Sequence, residues 1–369
     1  MVYWIWLSGI RGLGSVTARR LLDMFSDPED IYHASEMELM EVPGIGEKLA
    51  ACIVSSRSLR VAEGILDKMA KTDTRLLTIK DTAYPVSLRS LPKFPVVLYY
   101  RGMLPNQQQG VAIVGSRCCT DYGRKVTATA AEYLAQNQIP VISGMAQGIG
   151  GYAHAACIKS KGYTQAFLVH GVDICQPKEH RELMHAIITH GAVISEYPPG
   201  TPVRRSHFLR RNYIMSSWAT KLLVVEAGAQ CVSLSTAQLA KDQGKEVLAV
   251  PSSIFSREGL GTNRLIANGA TMYLEPAQLL PFSDTNVDAL TLQESTKLPD
   301  LKNRKAIHDR PAYTPSENAI VRALASSSLS VEELAQSLGK DKKGFLETLS
   351  VMELEGKIRV LPGGVVEVL

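Results

Sequence analysis

Two hydrophobic periods alternate along most of this chain. From about Val97, short runs dense in Val, Ile and Leu recur: VVLYY, GVAIVGSR, PVISGMA, QAFLVHG, AVISEY, KLLVVEA and EVLAVP. Runs that are apolar at consecutive positions, rather than at every second one, signal strands covered on both faces. Between them lie stretches with helical spacing, RKVTATAAEYLAQN, AHAACIKSKG, RELMHAIITHG and SLSTAQLAKDQG, several closed by a polar residue or glycine. Strand and helix alternating at this interval predict an α/β domain over residues 79–282, with a doubly wound, mostly parallel, Rossmann-like sheet. Ligands of such sheets sit at the carboxyl ends of the strands, which directs attention to the turns there.

The flanks are patterned differently. In the helical region 1–78, the pieces RGLGSVTARRLLDMF and VPGIGEKLAACI each place Gly-x-Gly ahead of an apolar-periodic helix, the helix-hairpin-helix pattern. Such turns either offer amides to a phosphate or simply close a small helical domain, and the sequence leaves both readings open. Residues 283–316 are polar, proline-bearing and aperiodic, as in a linker. Residues 317–369 carry three helical patterns, ENAIVRALA, SVEELAQSLG and KKGFLETLSVMELEG, and then IRVLPGGVVEVL, a hairpin turning at Pro362-Gly363-Gly364. That order predicts a winged helix. Its third helix begins with Lys342 and Lys343 but continues through Glu347, Glu353 and Glu355, a poor surface for a groove, so a protein contact is as open as a DNA contact.

Composition narrows the class. At 369 residues and 45% hydrophobic, the chain can bury one large core and smaller satellites. A net charge of +4 is only mildly basic, so polyanion binding has to come from a local concentration of charge. The six cysteines, at 52, 118, 119, 157, 175 and 231, form no C-x-x-C pair and no zinc spacing, which fits thiols in a reducing compartment. The apolar opening MVYWIWLSGI is too short for a bilayer and lacks the basic start of a signal peptide. A cytoplasmic location with no membrane partner is expected.

Chemistry concentrates at two turns and one basic segment. The first core strand runs into Gly115-Ser116-Arg117 and the second into Ser143-Gly144, followed by Gln147-Gly148 and Gly150-Gly151. Glycines at strand ends let amides approach an anion, and a following helix start adds partial positive charge. Dinucleotide binding would need G-x-G-x-x-G after the first strand and a carboxylate after the second; both are missing, and no P-loop occurs. No cofactor or metal is expected. The segment from Glu196 to Asn212 holds Arg204, Arg205, Arg210 and Arg211 against one Glu, a local charge of +3. Read as an exposed loop with His207 and Phe208 between the arginine pairs, it matches the aromatic-plus-basic recipe for single strands. The alternative is that Phe208 anchors a core and the arginines pair with acids. Lys178 would extend the positive rim. His154 has no carboxylate partner and reads as structural, and Cys118 and Cys119 lack the neighbours of a nucleophile.

In order over the core stand GSR, SGMAQGIGGYAH, ISEYPPGTP, FLRRNYI, VVEAGAQCVSLSTA, VLAVP and GTNRLIANGA. This ordered set resembles the DNA-processing protein A (Smf) family, and the helical front and winged-helix tail resemble modules found around that core. The resemblance implies a homodimer without catalytic turnover. Such a protein binds and protects single-stranded DNA in natural transformation and helps load the strand-exchange recombinase, with single-strand-binding protein as a further partner. It implies a pocket of Arg117, the amides and Ser143 of the SGMAQG turn, Lys178, Phe208, Arg211 and Asn212. With the basic segment and flanking turns, the expected DNA-binding set is Gly115, Ser116, Arg117, Ser143, Gly144, Gln147, Gly148, Lys178, Arg204, Arg205, Phe208, Arg210, Arg211 and Asn212. Departures are Gly150 where the family usually has Asp, Leu209 and Tyr213 around RRN, Cys231-Val232 where Ser-Gly is usual, and Ser252 after Val-Pro. A rival enzyme reading, a phosphoribohydrolase-like nucleotide hydrolase, needs a double-glycine turn and a catalytic glutamate. The stretch Glu226 to Thr236 lacks the double glycine and the Glu that would follow it.

Overall fold

The computed structural model describes residues 1–89, 91, 93–106, 109–280, 315–324, 329–338, 345, 348–349, 352, 357–360 and 365–368. Residues 1–285 form one compact unit and 286–369 a second.

The first unit is built on a sheet of nine strands: β1 Arg75–Thr78, β2 Val97–Gly102, β3 Val111–Val114, β4 Val141–Ser143, β5 Thr164–Phe167, β6 Gly191–Ser195, β7 Lys221–Val224, β8 Glu246–Ala249 and β9 Thr271–Met272. Their order is β1-β2-β6-β5-β4-β3-β7-β8-β9. From β6 across to β9 all pairings are parallel, whereas β2 pairs antiparallel with β6 and with β1. The mostly parallel, doubly wound sheet read from the apolar runs is therefore present. The chain steps outward from β3 to β6 and then returns to β7 on the other side of β3, so the topological switch, where such sheets hold ligands, lies at β3. Strand β1 lies ahead of the expected start at residue 79; its four residues RLLT are too short to show a period.

Side chains alternate across the sheet as pleating demands. Val111 and Ile113 face one core with Leu134, Val141 and Leu223, while Ala112 and Val114 face another with Phe167, Trp218 and Leu222. Helices α8 (Asp121–Gln136) and α9 (Ile149–Lys159) follow β3 and β4. Helix α10 (Arg181–His190) precedes β6, α11 (Arg205–Trp218) precedes β7, α12 (Val232–Asp242) precedes β8, and α13 (Leu260–Ala267) precedes β9.

The front region folds as α1 (Val2–Gly9), α2 (Ser15–Phe25), α3 (Pro28–His33), α4 (Glu36–Met40), α5 (Glu47–Ser55) and α6 (Arg60–Lys71), with a short α7 (Val86–Arg89) between β1 and β2. Gly14 and Gly46 sit at the N-caps of α2 and α5, as the paired Gly-x-Gly turns predict. The basic residues of α2 are spent internally: Arg19 donates to the carbonyls of Leu88, Arg89 and Phe94, and Arg20 to that of Pro43. Among the described residues no helix is long and apolar enough to cross a membrane.

The second unit has α14 (Pro315–Leu324), α15 (Val331–Ser337) and a sheet in the order β10-β12-β11, formed by Leu329–Ser330, Val365–Val368 and Ile358–Val360. Ile358 pairs with Val368 in the antiparallel pair β11–β12, as the wing of the expected winged helix requires. Lys342, Lys343, Glu347, Glu353, Glu355, the turn at Pro362-Gly363-Gly364 and the linker through residue 314 lie outside the described residues.

Candidate functional site

The turns after β3 and β4 meet at the carboxyl edge of the sheet. The Ile149 amide donates to the Ser116 carbonyl at 3.1 Å. Gly148 has φ +72°, and a Cβ there would stand 2.4 Å from the carbonyl oxygens of both Ser116 and Arg117, so only glycine allows the approach. Buried Ser116 accepts from the Cys118 amide at 3.2 Å, which leaves Arg117 exposed at the tip. Ser143, also buried, donates its hydroxyl to the Ile113 carbonyl at 2.7 Å. A cavity of about 70 Å³ opens here, lined by Gly115, Ser143, Gly144, Gly150, Asn212, Ser233 and Thr236, with Arg117, Phe208 and Arg211 on its wall. No carboxylate lines it. A Cβ at Gly150 would lie 3.0 Å from Ser143 Oγ, so glycine, rather than the family's usual Asp, keeps an acid out of this space.

The basic segment corrects an expectation. The prolines do form a non-helical approach, but from Arg205 the chain is helix α11 rather than an exposed loop, and His207, Arg211 and Asn212 are buried. From Ile214 to Trp218 every residue is buried, so the second half of the helix is enclosed all round and shows no apolar stripe, while Arg205, Ser206 and Leu209 in its first half are exposed. His207 stacks on Tyr197 at 3.8 Å between centroids and bonds the Val169 carbonyl through Nδ1.

Arg211 becomes the centre of the site. Its Nη1 donates to the carbonyls of Phe167 (2.7 Å) and Gly144 (3.0 Å), and its Nε to Asn212 Oδ1 (3.0 Å). Glycine at 144 permits this, since a Cβ would stand 2.2 Å from Arg211 Nη1. Burial, and after it the like charge of Arg117, push the Arg211 guanidinium down to about 10. Both guanidiniums lie near the Phe208 ring, that of Arg117 at 5.7 Å and that of Arg211 at 6.0 Å from its centroid. Among the described residues neither forms an ion pair with a carboxylate. A buried cation beside a second one, bonded only to neutral acceptors, is costly unless an anion completes the site.

A second cavity, of about 410 Å³ and within the size range of small-ligand sites, shares Arg117, Gly144, Phe208 and Arg211 with the first. Leu168, Val169, Pro177 and Val203 give it apolar walls; His170, Gln176, Glu179 and Gln147 supply polar groups. Of the expected residues, the two cavities thus bring together Gly115, Arg117, Ser143, Gly144, Gln147, Phe208, Arg211 and Asn212, while Ser116 and Gly148 fix the turns. Lys178 is exposed between two lining residues without lining either cavity. Arg204 and Arg205 are exposed at the start of α11, where a cation opposes the helix dipole. Arg210 is engaged elsewhere: Nε and Nη2 grip the Glu196 carboxylate at 2.7 and 2.6 Å and Nη1 reaches the Lys93 carbonyl. Sequence reading missed Ser233 and Thr236. Their i, i+3 spacing on α12 was the available signal, hidden inside a stretch that stands out only by its departure from the family pattern.

Other candidate groups have structural tasks. Glu226 is buried, and its carboxylate accepts from the amide and hydroxyl of Thr120 at the start of α8. Burial, then the Glu226 charge, pushes the Cys119 thiol up. His154 is fully buried, with Nδ1 2.7 Å from Thr164 Oγ1, and burial followed by the His180 and Arg211 charges push it down to about 3. An unfolded imidazole titrates near 6.5, so below that value the unfolded chain gains a proton the native one refuses. Stability should therefore decline as pH falls from about 6.5 toward 3, by at most about 1.4 kcal/mol per pH unit from this group. Buried His170, also lowered by burial, acts in the same direction. Urea midpoints at pH 7.5 and 5.5 test this: His154→Gln should shrink the drop, and an unchanged drop would count against the assignment.

A doubly wound sheet with an uncharged cradle and two cationic walls at its switch point defines a Rossmann-like protein with an anion-accepting edge, here joined to a helix-hairpin-helix region and a winged helix. Residues 75–284 match the family DNA recombination-mediator protein A, 7–57 the SAM-like helix-hairpin-helix tandem, and 305–364 the DprA winged helix domain. The chain is 34% identical over 283 residues to protein Smf of Synechocystis sp., covering 75% of this chain and 71% of that one. It is 35% identical over 196 residues to DNA processing protein DprA of Streptococcus pneumoniae, covering 53% and 69%. The X-ray structure of that streptococcal protein superposes with a TM-score of 0.67 at 27% identity, over 77% of this chain and 99% of that one. DNA processing protein A of Helicobacter pylori, whose structure addresses its single-stranded DNA binding mode, superposes with a TM-score of 0.50 at 25% identity, over 55% and 93%. This chain belongs to the DNA recombination-mediator protein A family.

Proposed function

We propose that the chain binds and protects single-stranded DNA in the cleft between the two cavities, during natural transformation, and helps load the strand-exchange recombinase. The observation that carries this is the pair Arg117 and Arg211, unpaired with any described carboxylate, both close to the Phe208 ring. A phosphate in the small cavity would meet Arg211, the glycine turns and the hydroxyls of Ser233 and Thr236, while the apolar walls of the larger one suit a base. The Helicobacter pylori relative supports the choice of strand.

The protein acts by binding, without turnover: the glutamate that a phosphoribohydrolase-like turn would carry is missing from the stretch Glu226 to Thr236, and Glu226 itself is committed to Thr120. It works in the cytoplasm as a homodimer, so that one strand meets two weak pockets, with single-strand-binding protein as a neighbour on that strand. Exposed Met272 and Leu274 at the edge strand β9 offer an apolar face for pairing. The regions 1–78, 79–282 and 317–369 serve as its modules. Lys178, Arg204 and Arg205 add to the field that draws the strand in, whereas Arg210 does not contact it.

Fluorescence anisotropy with one sequence as single strand and as duplex tests this reading. The single strand should bind at least about tenfold more tightly, the worth of one stacked base. Equal or tighter duplex binding would overturn it.

A further inference from the structure

A strand held at Arg117 must leave the cleft, and the structure supplies one surface suited to it. Helix α9 starts at Gly148, whose backbone lies against the Arg117 carbonyl, and the Tyr152 amide bonds the Gly148 carbonyl at 3.0 Å. Tyr152 is thus one helical turn from the cleft. It is 42% exposed, and its hydroxyl makes no hydrogen bond among the described residues. On the neighbouring helix α8 the Arg124 guanidinium lies 5.7 Å from the centroid of the Tyr152 ring. Arg124 also pairs with Asp121, and exposed Lys125 follows it, so this start of α8 presents two cations against the one acid of Asp121.

We propose that Tyr152, braced by Arg124, is a second stacking platform for single-stranded nucleic acid, taking a base beyond the one at Phe208. The proposal rests on the single-strand reading of the cleft. An exposed ring beside a guanidinium is what a sequence-tolerant groove uses, the ring taking a base face and the cations the adjacent phosphates. A ring that stays 42% exposed, with no bond for its hydroxyl among the described residues, is left open to a ligand beside the cleft. A folded duplex keeps its bases stacked on each other, so it gains nothing here. The platform therefore adds to strand affinity only when the strand is long enough to reach from Arg117 past Gly148.

Anisotropy with strands of about 4 and about 20 nucleotides separates these cases. Tyr152→Ala should weaken the longer strand about tenfold, the effect of one lost stack, while leaving the shorter one within about twofold. Tyr152→Phe should bind as the unaltered protein. No loss with either length, an equal loss with both, or failure of Tyr152→Phe to retain affinity would each overturn the platform. Phe208→Ala serves as the control, since it should weaken both lengths. If Phe208→Ala weakens neither, the cleft reading itself fails, and the platform with it.

Discussion

Replacing Arg211 by Met should lower single-strand affinity about a hundredfold while changing the melting temperature little. The two effects separate because the guanidinium works against folding and for binding. Its three hydrogen bonds to Phe167, Gly144 and Asn212 each contribute on the order of 1 kcal/mol to the fold. Burying a cation beside Arg117 costs several kcal/mol before any anion arrives, so loss of the bonds and relief of the desolvation offset each other. In the complex no such offset exists. A charge-assisted bond to phosphate is worth about 1.5 to 3 kcal/mol, and about 2.7 kcal/mol is a factor of a hundred. Arg211→Lys should recover little of this, because one ammonium cannot span three acceptors and a phosphate. Unimpaired binding by a folded Arg211→Met protein would remove Arg211 from the site. Loss of the fold would mean the guanidinium is chiefly a structural peg.

Phe208→Ala should cost about tenfold in single-strand affinity, leave duplex affinity unchanged and leave the salt dependence nearly as it was. Arginines attract any polyanion, so charge cannot choose between strand and duplex; a ring face accepts only a base free of its own helix. The ring is half-buried on α11 with the Arg117 and Arg211 guanidiniums near it, so its removal takes away a stacking surface without deleting a charge. Arg117→Ala should do the opposite, lowering the salt slope by about 0.7 for each phosphate left without its cation. Equal weakening of strand and duplex by Phe208→Ala would return Phe208 to the status of a core residue.

The turns of this site were legible in the sequence because their signal is local. Gly115 and Gly144 follow apolar runs directly, and strand ends are where doubly wound sheets hold ligands. The strand pair β11–β12 was legible for the same reason, as two apolar runs separated in the sequence by Pro-Gly-Gly. Helix α11 was not, since its second half is buried all round and carries no stripe, its first half is mostly basic and polar, and prolines just before it suggested that the loop continued. The division of labour among its arginines was equally hidden. Arg210 meets Glu196 fourteen positions earlier, and Arg211 finds its acceptors on β5 and the β4 turn, both consequences of tertiary packing. Ser233 and Thr236 reach the cradle from α12 because β7 lies beside β3, a neighbour relation that strand spacing alone does not fix.

Cross-linking with a single strand carrying 5-iodouracil, followed by digestion with trypsin and mass spectrometry, tests the location of the strand most directly. The account expects the modified base on the peptide Ser206–Arg210, at Phe208. Cross-links confined to the winged-helix residues beyond 315 or to the helical front, with that peptide unmodified, would contradict it.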